Sequence, residues 1–184
     1  LEFRRVLFRS EAMRARLQAA GVAVRDGDRA GADKRCVTDF FAATDPEGSP
    51  LEFYYGRTGV GGKFESPIGV PQFLTGEMGL GHVVIPAPGD LFRTHEFYKS
   101  VLGLGESDDL TIAPPGAPPI RILFMHADNP RHHSLALVNQ PVPTGVVHLM
   151  LEVPDLNEVG RCLDRTLARK IPLMASLGRH CNDN

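Results

Sequence analysis

Two stretches of this chain begin alike and continue alike. Gly79-Leu80-Gly81-His82 and Gly145-Val146-Val147-His148 share the pattern G-x-x-H, and each histidine is followed by a proline at the same offset, Pro88 and Pro154. An amphipathic helix follows in both, with Phe97 and Val101 matched in phase by Leu163 and Leu167. The agreement defines an internal repeat of about 66 residues, and a repeat that cannot bury its own apolar face must pack against another copy. The repeating unit reads β-α-β-β-β. The predicted fold is therefore α+β, with paired modules, a curved cup-like mixed sheet and helices outside it.

Alternation along a strand says which way the histidines point. Val147, Leu149, Leu151 and Val153 form an aliphatic face expected under the repeat's helix, leaving His148, Met150 and Glu152 on the opposite, inward face. By the same rule Val83 and Ile85 lie under the first helix, while His82 and Val84 face inward. A lone inward histidine reads most simply as a core residue. Two at one repeat position aim at a shared interior.

Upstream, Met13, Leu17 and Ala20 recur at helical spacing between Glu11 and Ala20, with Gly21 as the helix stop. Val22 and Val24 read as a short strand, and Cys36 to Ala43 as another. Asp45-Pro46-Glu47-Gly48 is turn chemistry leading into a strand from Leu51 to Tyr55. The Gly- and Pro-rich stretch from Gly56 to Pro71 reads as a linker without structure of its own. Residues 1–10, basic and apolar, lack an uninterrupted apolar core and a small-residue cleavage site, so they read as a non-native junction rather than a signal peptide.

Composition excludes more than it selects. A net charge of -2 offers no field for nucleic acid or an acidic membrane surface. No run approaches the roughly 18 apolar residues of a membrane span. Three widely spaced cysteines, Cys36, Cys162 and Cys181, suit a reducing compartment rather than a disulfide framework, and hence a cytoplasmic location. Cys162 reads as buried packing on its helix; Lys99 and Arg131 read as solvated charges.

The succession D-P-E-G-S-P-L-E-F-Y-Y-G, G-L-G-H-V-V, N-P-R-H-H-S-L-A-L, G-V-V-H-L-M-L-E-V and S-L-G-R-H-C-N-D-N resembles the type I extradiol dioxygenases of the vicinal oxygen chelate superfamily. The likeness runs in order from Glu11 to Asn184. Enzymes of that kind are built from four β-α-β-β-β modules in two domains, with iron in the C-terminal one. The resemblance implies that 11–56 is the remainder of an N-terminal domain (its second module) and 57–78 the linker. It makes 79–184 an incomplete metal-binding domain, holding the third module and the first half of the fourth. The implied activity is O2-dependent meta-cleavage of a substituted catechol such as 2,3-dihydroxybiphenyl, with homo-oligomeric assembly usual in such families.

The implied iron site is a triad of two histidines and one carboxylate, which leaves open positions for catechol and dioxygen. The matching ligands are His82 and His148, for Fe(II), with Mn(II) satisfying the same donors. His133 matches the acid/base, and extending the strand alternation backward places it with Leu135 and Leu137 on the inward face, whereas His132 goes with Ser134 and Ala136. An imidazole suits that role because its ordinary pKa of about 6.5 lets it take and return a proton near neutrality. His180 matches a second catalytic histidine that bonds the substrate or oxygen, and Asn182 a substrate-binding loop residue. Glu52 holds in its own module the place of the ligand carboxylate, yet the resemblance puts no metal there and makes it structural. Glu152 lies four residues along the strand from His148, about 13 Å at 3.3 Å per residue, too far to share one metal. The repeat therefore projects the third ligand roughly 15–20 residues past Asn184. Two alternatives stay open: an inactive fragment or metal-free binding module of the same superfamily, and a glyoxalase-like metalloenzyme.

Overall fold

A computed structural model of the chain describes residues 2–59 and 64–178. The N-terminal part runs α1 (Glu2–Ala19), β1 (Arg25–Asp26), α2 (Arg29–Lys34), β2 (Val37–Thr44) and β3 (Pro50–Arg57). The C-terminal part runs β4 (His82–Pro86), α3 (Leu91–Glu96) with a π-helical extension Phe97–Val101, then β5 (Gly105–Ile112), β6 (Ile120–His126) and β7 (Leu135–Val138). It closes with β8 (His148–Met150) and α4 (Leu156–Ala168). The strands form a three-stranded antiparallel sheet, β1-β2-β3, and a five-stranded sheet ordered β5-β6-β7-β4-β8. From β4 to β7 the element order is the β-α-β-β-β unit that the repeat predicted.

Several expectations move. The first helix begins at Glu2 rather than Glu11, so the run set aside as a junction is helical in its described part. The short strand is Arg25–Asp26 rather than Val22 to Val24, because those valines pack against the core instead of pairing. Helix α2 was not foreseen; Asp28 caps it, its side chain accepting from the Gly31 amide at 2.6 Å. The 57–78 segment ends in a 3-10 turn at Gly76–Met78, buries Val70, and donates the Leu74 amide to the Glu152 carbonyl at 2.9 Å. It is pinned, not free.

One apolar core joins the two sheets. Leu17 of α1 and Phe41 and Ala43 of β2 pack with Ile85, Leu91, Phe97, Met125 and Leu137. The Asp-Pro-Glu-Gly turn fastens the same contact. Asp45 accepts the Glu47 and Ser49 amides, as a turn aspartate does, and its other oxygen accepts the Tyr98 hydroxyl at 3.0 Å. Burial first, and then the adjacent Asp45 charge, push the Tyr98 phenol above its ordinary range, so it stays a donor. The Glu47 carboxylate accepts the Gly89 and Asp90 amides just before α3.

Asp90 and Asp155 cap α3 and α4, accepting the amides of Arg93 and Glu158. The two repeat copies share that start but not their packing. Val147, Leu149 and Leu151 are 40%, 58% and 39% exposed, so the aliphatic face expected beneath α4 lies open among the described residues. Cys162 is likewise exposed rather than buried.

Candidate metal centre

The site is built at the seam between β4 and β8. These strands pair antiparallel, with His82 opposite Met150, Val83 opposite Leu149 and Val84 opposite His148. Residues directly opposite in such a ladder share a face. His82, Val84, His148 and Met150 therefore all project to one side, and the Val83–Leu149 pair to the other. The register is symmetric about that central pair, so the two histidines sit on a diagonal, within side-chain reach. Their Nε2 atoms are 3.1 Å apart, and the ring centroids 5.3 Å. His82 is only 4% exposed, while His148, on the edge strand, is exposed.

The floor beneath them is apolar. Val84, Ala136 and Val138 form a cluster on this face with Ile120, Ile122 and Phe124. Leu135 and Leu137 instead join the core on the helix side. This reverses the face expected for β7: the cup side carries Ala136, not Leu135 and Leu137. His133 nevertheless sits on the cup side, because it precedes β7 in a bend where strand alternation does not operate. It is 2% exposed, with its ring 4.1 Å from that of His82 and 4.8 Å from that of Phe124. His132 is exposed, its Nδ1 3.1 Å from the Nδ1 of His133. The bend is held in place by the Ser107 hydroxyl donating to the His132 carbonyl and by the Ser134 amide donating to the Met125 carbonyl at 2.8 Å.

Three sequence candidates thus meet at one place: His82, His148 and His133. His180 and Asn182 lie outside the described residues. Glu52 is elsewhere, on β3, where it accepts from Nε and Nη2 of Arg35 at 2.7 and 2.5 Å, and that hydrogen bonding, foremost among its causes, holds its carboxyl below the ordinary range. Glu152 is also committed, its carboxylate 2.9 Å from Arg131. Arg131, expected on a solvated face, is buried. Sequence reasoning missed it because arginine is so seldom buried; it also missed Phe124, although alternation of Ile120, Ile122 and Phe124 along β6 carried that signal.

Two nitrogens bound to one metal at roughly 2.1 Å and a right angle to each other stand about 3.0 Å apart. The observed 3.1 Å between the Nε2 atoms of His82 and His148 fits that requirement. Among the described residues no group of three or more His, Cys, Asp or Glu side chains forms a complete metal cage. The arrangement is a close pair of histidines, with a third, deeply buried imidazole beside it.

A module of four strands and a helix, with paired histidines on one face of its sheet, points to the class. The sequence model of the Glyoxalase/Bleomycin resistance protein/Dioxygenase superfamily matches residues 79–184, and the chain belongs to that superfamily. It is 41% identical over 177 residues to the iron-dependent extradiol dioxygenase of Rhodococcus jostii, covering 93% of this chain and 58% of that protein. It is 42% identical over 178 residues to the biphenyl-2,3-diol 1,2-dioxygenase of Metapseudomonas furukawaii, covering 94% and 56%. Among solved structures, a catechol 2,3-dioxygenase superposes with a TM-score of 0.81 at 30% identity, over 95% of this chain and 61% of the other. A halotolerant catechol dioxygenase superposes at 0.78 and 33%, over 94% and 56%. The chain therefore spans little more than half the length of the relatives it matches.

Proposed function

We propose that this chain carries the principal iron-binding residues of an extradiol dioxygenase, an enzyme that opens a substituted catechol such as 2,3-dihydroxybiphenyl beside its hydroxyls using O2. The observation that carries the reading is the pair of Nε2 atoms at 3.1 Å, with the buried His133 ring centred 4.1 Å from the centre of the His82 ring. In this reading His82 and His148 are ligands, and 79–184 is the metal-binding domain following an N-terminal unit (11–56) and a connecting segment (57–78). Fe(II) held there supplies the electron-transfer chemistry that O2 needs to react with an aromatic ring, and Mn(II) takes the same donors.

The protein's own groups then divide the work. His82 and His148 would hold the metal where β8 is open to solvent. The apolar floor of Val84, Ala136 and Phe124 keeps water from the ring's underside and suits a flat aromatic substrate. His133 takes the proton of a catechol hydroxyl and returns it later in the cycle, and its burial keeps that proton from exchanging freely with solvent. His180 and Asn182 are proposed to bond the substrate from the opposite side. A carboxylate completing the ligand set is proposed from outside the described residues, because Glu152 is engaged by Arg131. A cytoplasmic homo-oligomer belongs to the same proposal. Among the described residues no helix is long and apolar enough to cross a membrane.

Anaerobic loading with Fe(II), followed by iron content per chain and the yellow ring-fission product from 2,3-dihydroxybiphenyl and O2, tests it. We expect His148→Ala to lose the iron. His133→Ala should retain it while turnover falls on the order of 10²–10⁴-fold. Loss of iron from His133→Ala would show that the roles are misassigned. Methylglyoxal conversion in place of ring cleavage would move the chain to the glyoxalase branch.

A further inference from the structure

Arg131 is an unusual residue to bury. Its side chain is 7% exposed. Nε donates to the Met78 carbonyl at 2.9 Å, and Nη1 lies 2.9 Å from the Glu152 carboxylate. Nη2 is buried with no hydrogen-bond partner among the described residues. A guanidinium taken out of water recovers its hydration only when every donor is well paired, and a buried donor left over is a net cost. Stability alone therefore does not account for the arrangement.

Its connections do. Met78 lies four residues before His82, Arg131 two before His133, and Glu152 four after His148. The ion pair thus grips the three chain segments that carry the three site histidines. In the sheet order β7-β4-β8, the bend preceding β7 and the chain leaving β8 are separated by β4. Among the described residues no ladder bond joins them. Strand β8 is an edge strand of three residues that pairs there with β4 alone, and β4 reaches the His133 bend through the Val83 amide, which donates to the Ser134 carbonyl at 3.1 Å, so the sheet ties β8 to His133 only by way of β4. Arg131 and Glu152 supply a direct link across the end of β4. Other contacts converge there as well. The Asn129 side chain accepts the Arg131 amide at 3.0 Å, the Glu152 carbonyl accepts the Leu74 amide, and the Met150 carbonyl packs so closely on Gly81 that a β-carbon there would stand 1.9 Å away.

We infer that Arg131 and Glu152 are positioning residues: a buried clamp that sets the acid/base His133 against the His82–His148 pair. The inference rests on the functional reading above for its meaning, but its geometry can be tested separately. Metal binding needs only His82 and His148 in register, which the β4–β8 ladder provides. Proton transfer needs His133 set against that pair as well, and the clamp ties its bend directly to the chain leaving β8. Disturbing the clamp should therefore affect kcat far more than KM or metal content.

The experiment compares the parent protein with Arg131→Met, Arg131→Lys, Glu152→Gln and the Arg131→Met/Glu152→Gln double variant, each loaded with Fe(II). Measured for each are iron per chain, kcat and KM for 2,3-dihydroxybiphenyl, the melting temperature, and a crystal structure. We expect Arg131→Met and Glu152→Gln to lower kcat about 10- to 100-fold, the range for residues that support a metal site from behind, with KM and iron content within about twofold. The double variant should lose no more than the worse single one, as residues acting through one link do. Arg131→Lys, which keeps a charge opposite Glu152, should restore part of the loss. In the variant structures the His133 ring should swing away from its 4.1 Å contact with His82. Parent-like kcat per iron-loaded chain, with only the melting temperature lowered, would reduce the pair to a stabilising contact and overturn the inference. Should the parent itself fail to cleave catechols, the functional reading falls, and the His133–His82 separation in the variant structures still decides the clamp. Glu152→Gln, nearly isosteric, serves if Arg131→Met does not fold.

Discussion

Strands β4 and β8 are two copies of one pattern placed in unlike surroundings. Each begins after a glycine in the left-handed region, Gly79 at φ 70° and Gly145 at φ 71°, and each presents its histidine to the same face. β4 lies between β7 and β8, with α3 packed over Val83 and Ile85; His82 is 4% exposed. Among the described residues β8 is bonded on one side only. His148 and Leu149 are exposed, and the helix that follows leaves its own Leu156 and Leu167 at 77% and 55%. Local pattern governs the direction of a side chain; neighbours govern its burial. The difference gives the site one histidine in the sheet interior and one on an open rim, which suits the proposed function of a centre that admits a substrate.

The largest effect should come from making the first copy read like the second. Gly81 corresponds to Val147, and Gly81→Val places a β-carbon 1.9 Å from the Met150 carbonyl at a residue with φ 155°. Backbone strain and overpacking together should cost roughly 2–4 kcal/mol and part the β4–β8 ladder. Denaturant unfolding measures this, and a loss under about 1 kcal/mol would mean that the close approach is not real.

A smaller contrast comes from cutting an aliphatic side chain on the helix-side face of each copy. Ile85→Ala empties a core position and should cost about 2–4 kcal/mol. Leu149→Ala, at an exposed position, should stay within about 0.5 kcal/mol. Equal losses would show that β8's outer face is covered in solution and that the asymmetry of the two copies is smaller than described.

The smallest effect lies outside both copies and serves as their reference. Arg35 lowers the Glu52 carboxyl from its ordinary value, so the ion pair contributes stability that is fully present above about pH 4.3 and is lost as pH falls through the lower folded value. The partners are 38% and 43% exposed, so solvent screens most of it. Glu52→Gln should flatten the acid limb of a stability–pH curve slightly, without altering iron binding. A change in iron content would bring Glu52 into the metal chemistry after all.

The repeat, the β-α-β-β-β order and the inward direction of His82 and His148 were legible because they depend on spacing within one strand or one helix phase. The Asp-Pro-Glu-Gly turn was legible for the same reason, since its hydrogen bonds close within five residues. Its attachment to Tyr98 and to the start of α3 was not, because those partners lie tens of positions away. His133 was the right histidine of its pair to be buried, but the alternation invoked for it does not apply in a bend. What buries it is the contact with His82 and Phe124, which forms only when β4, β6 and β7 align. Arg131 looked like a surface charge because arginine usually is one, and only the convergence of Met78 and Glu152 encloses it. The sequence by itself determined which residues face the same way, since chain geometry repeats every two or 3.6 residues. The tertiary structure alone decided which of them meet and which are shielded from water, because register and strand order are set by the packing of distant segments.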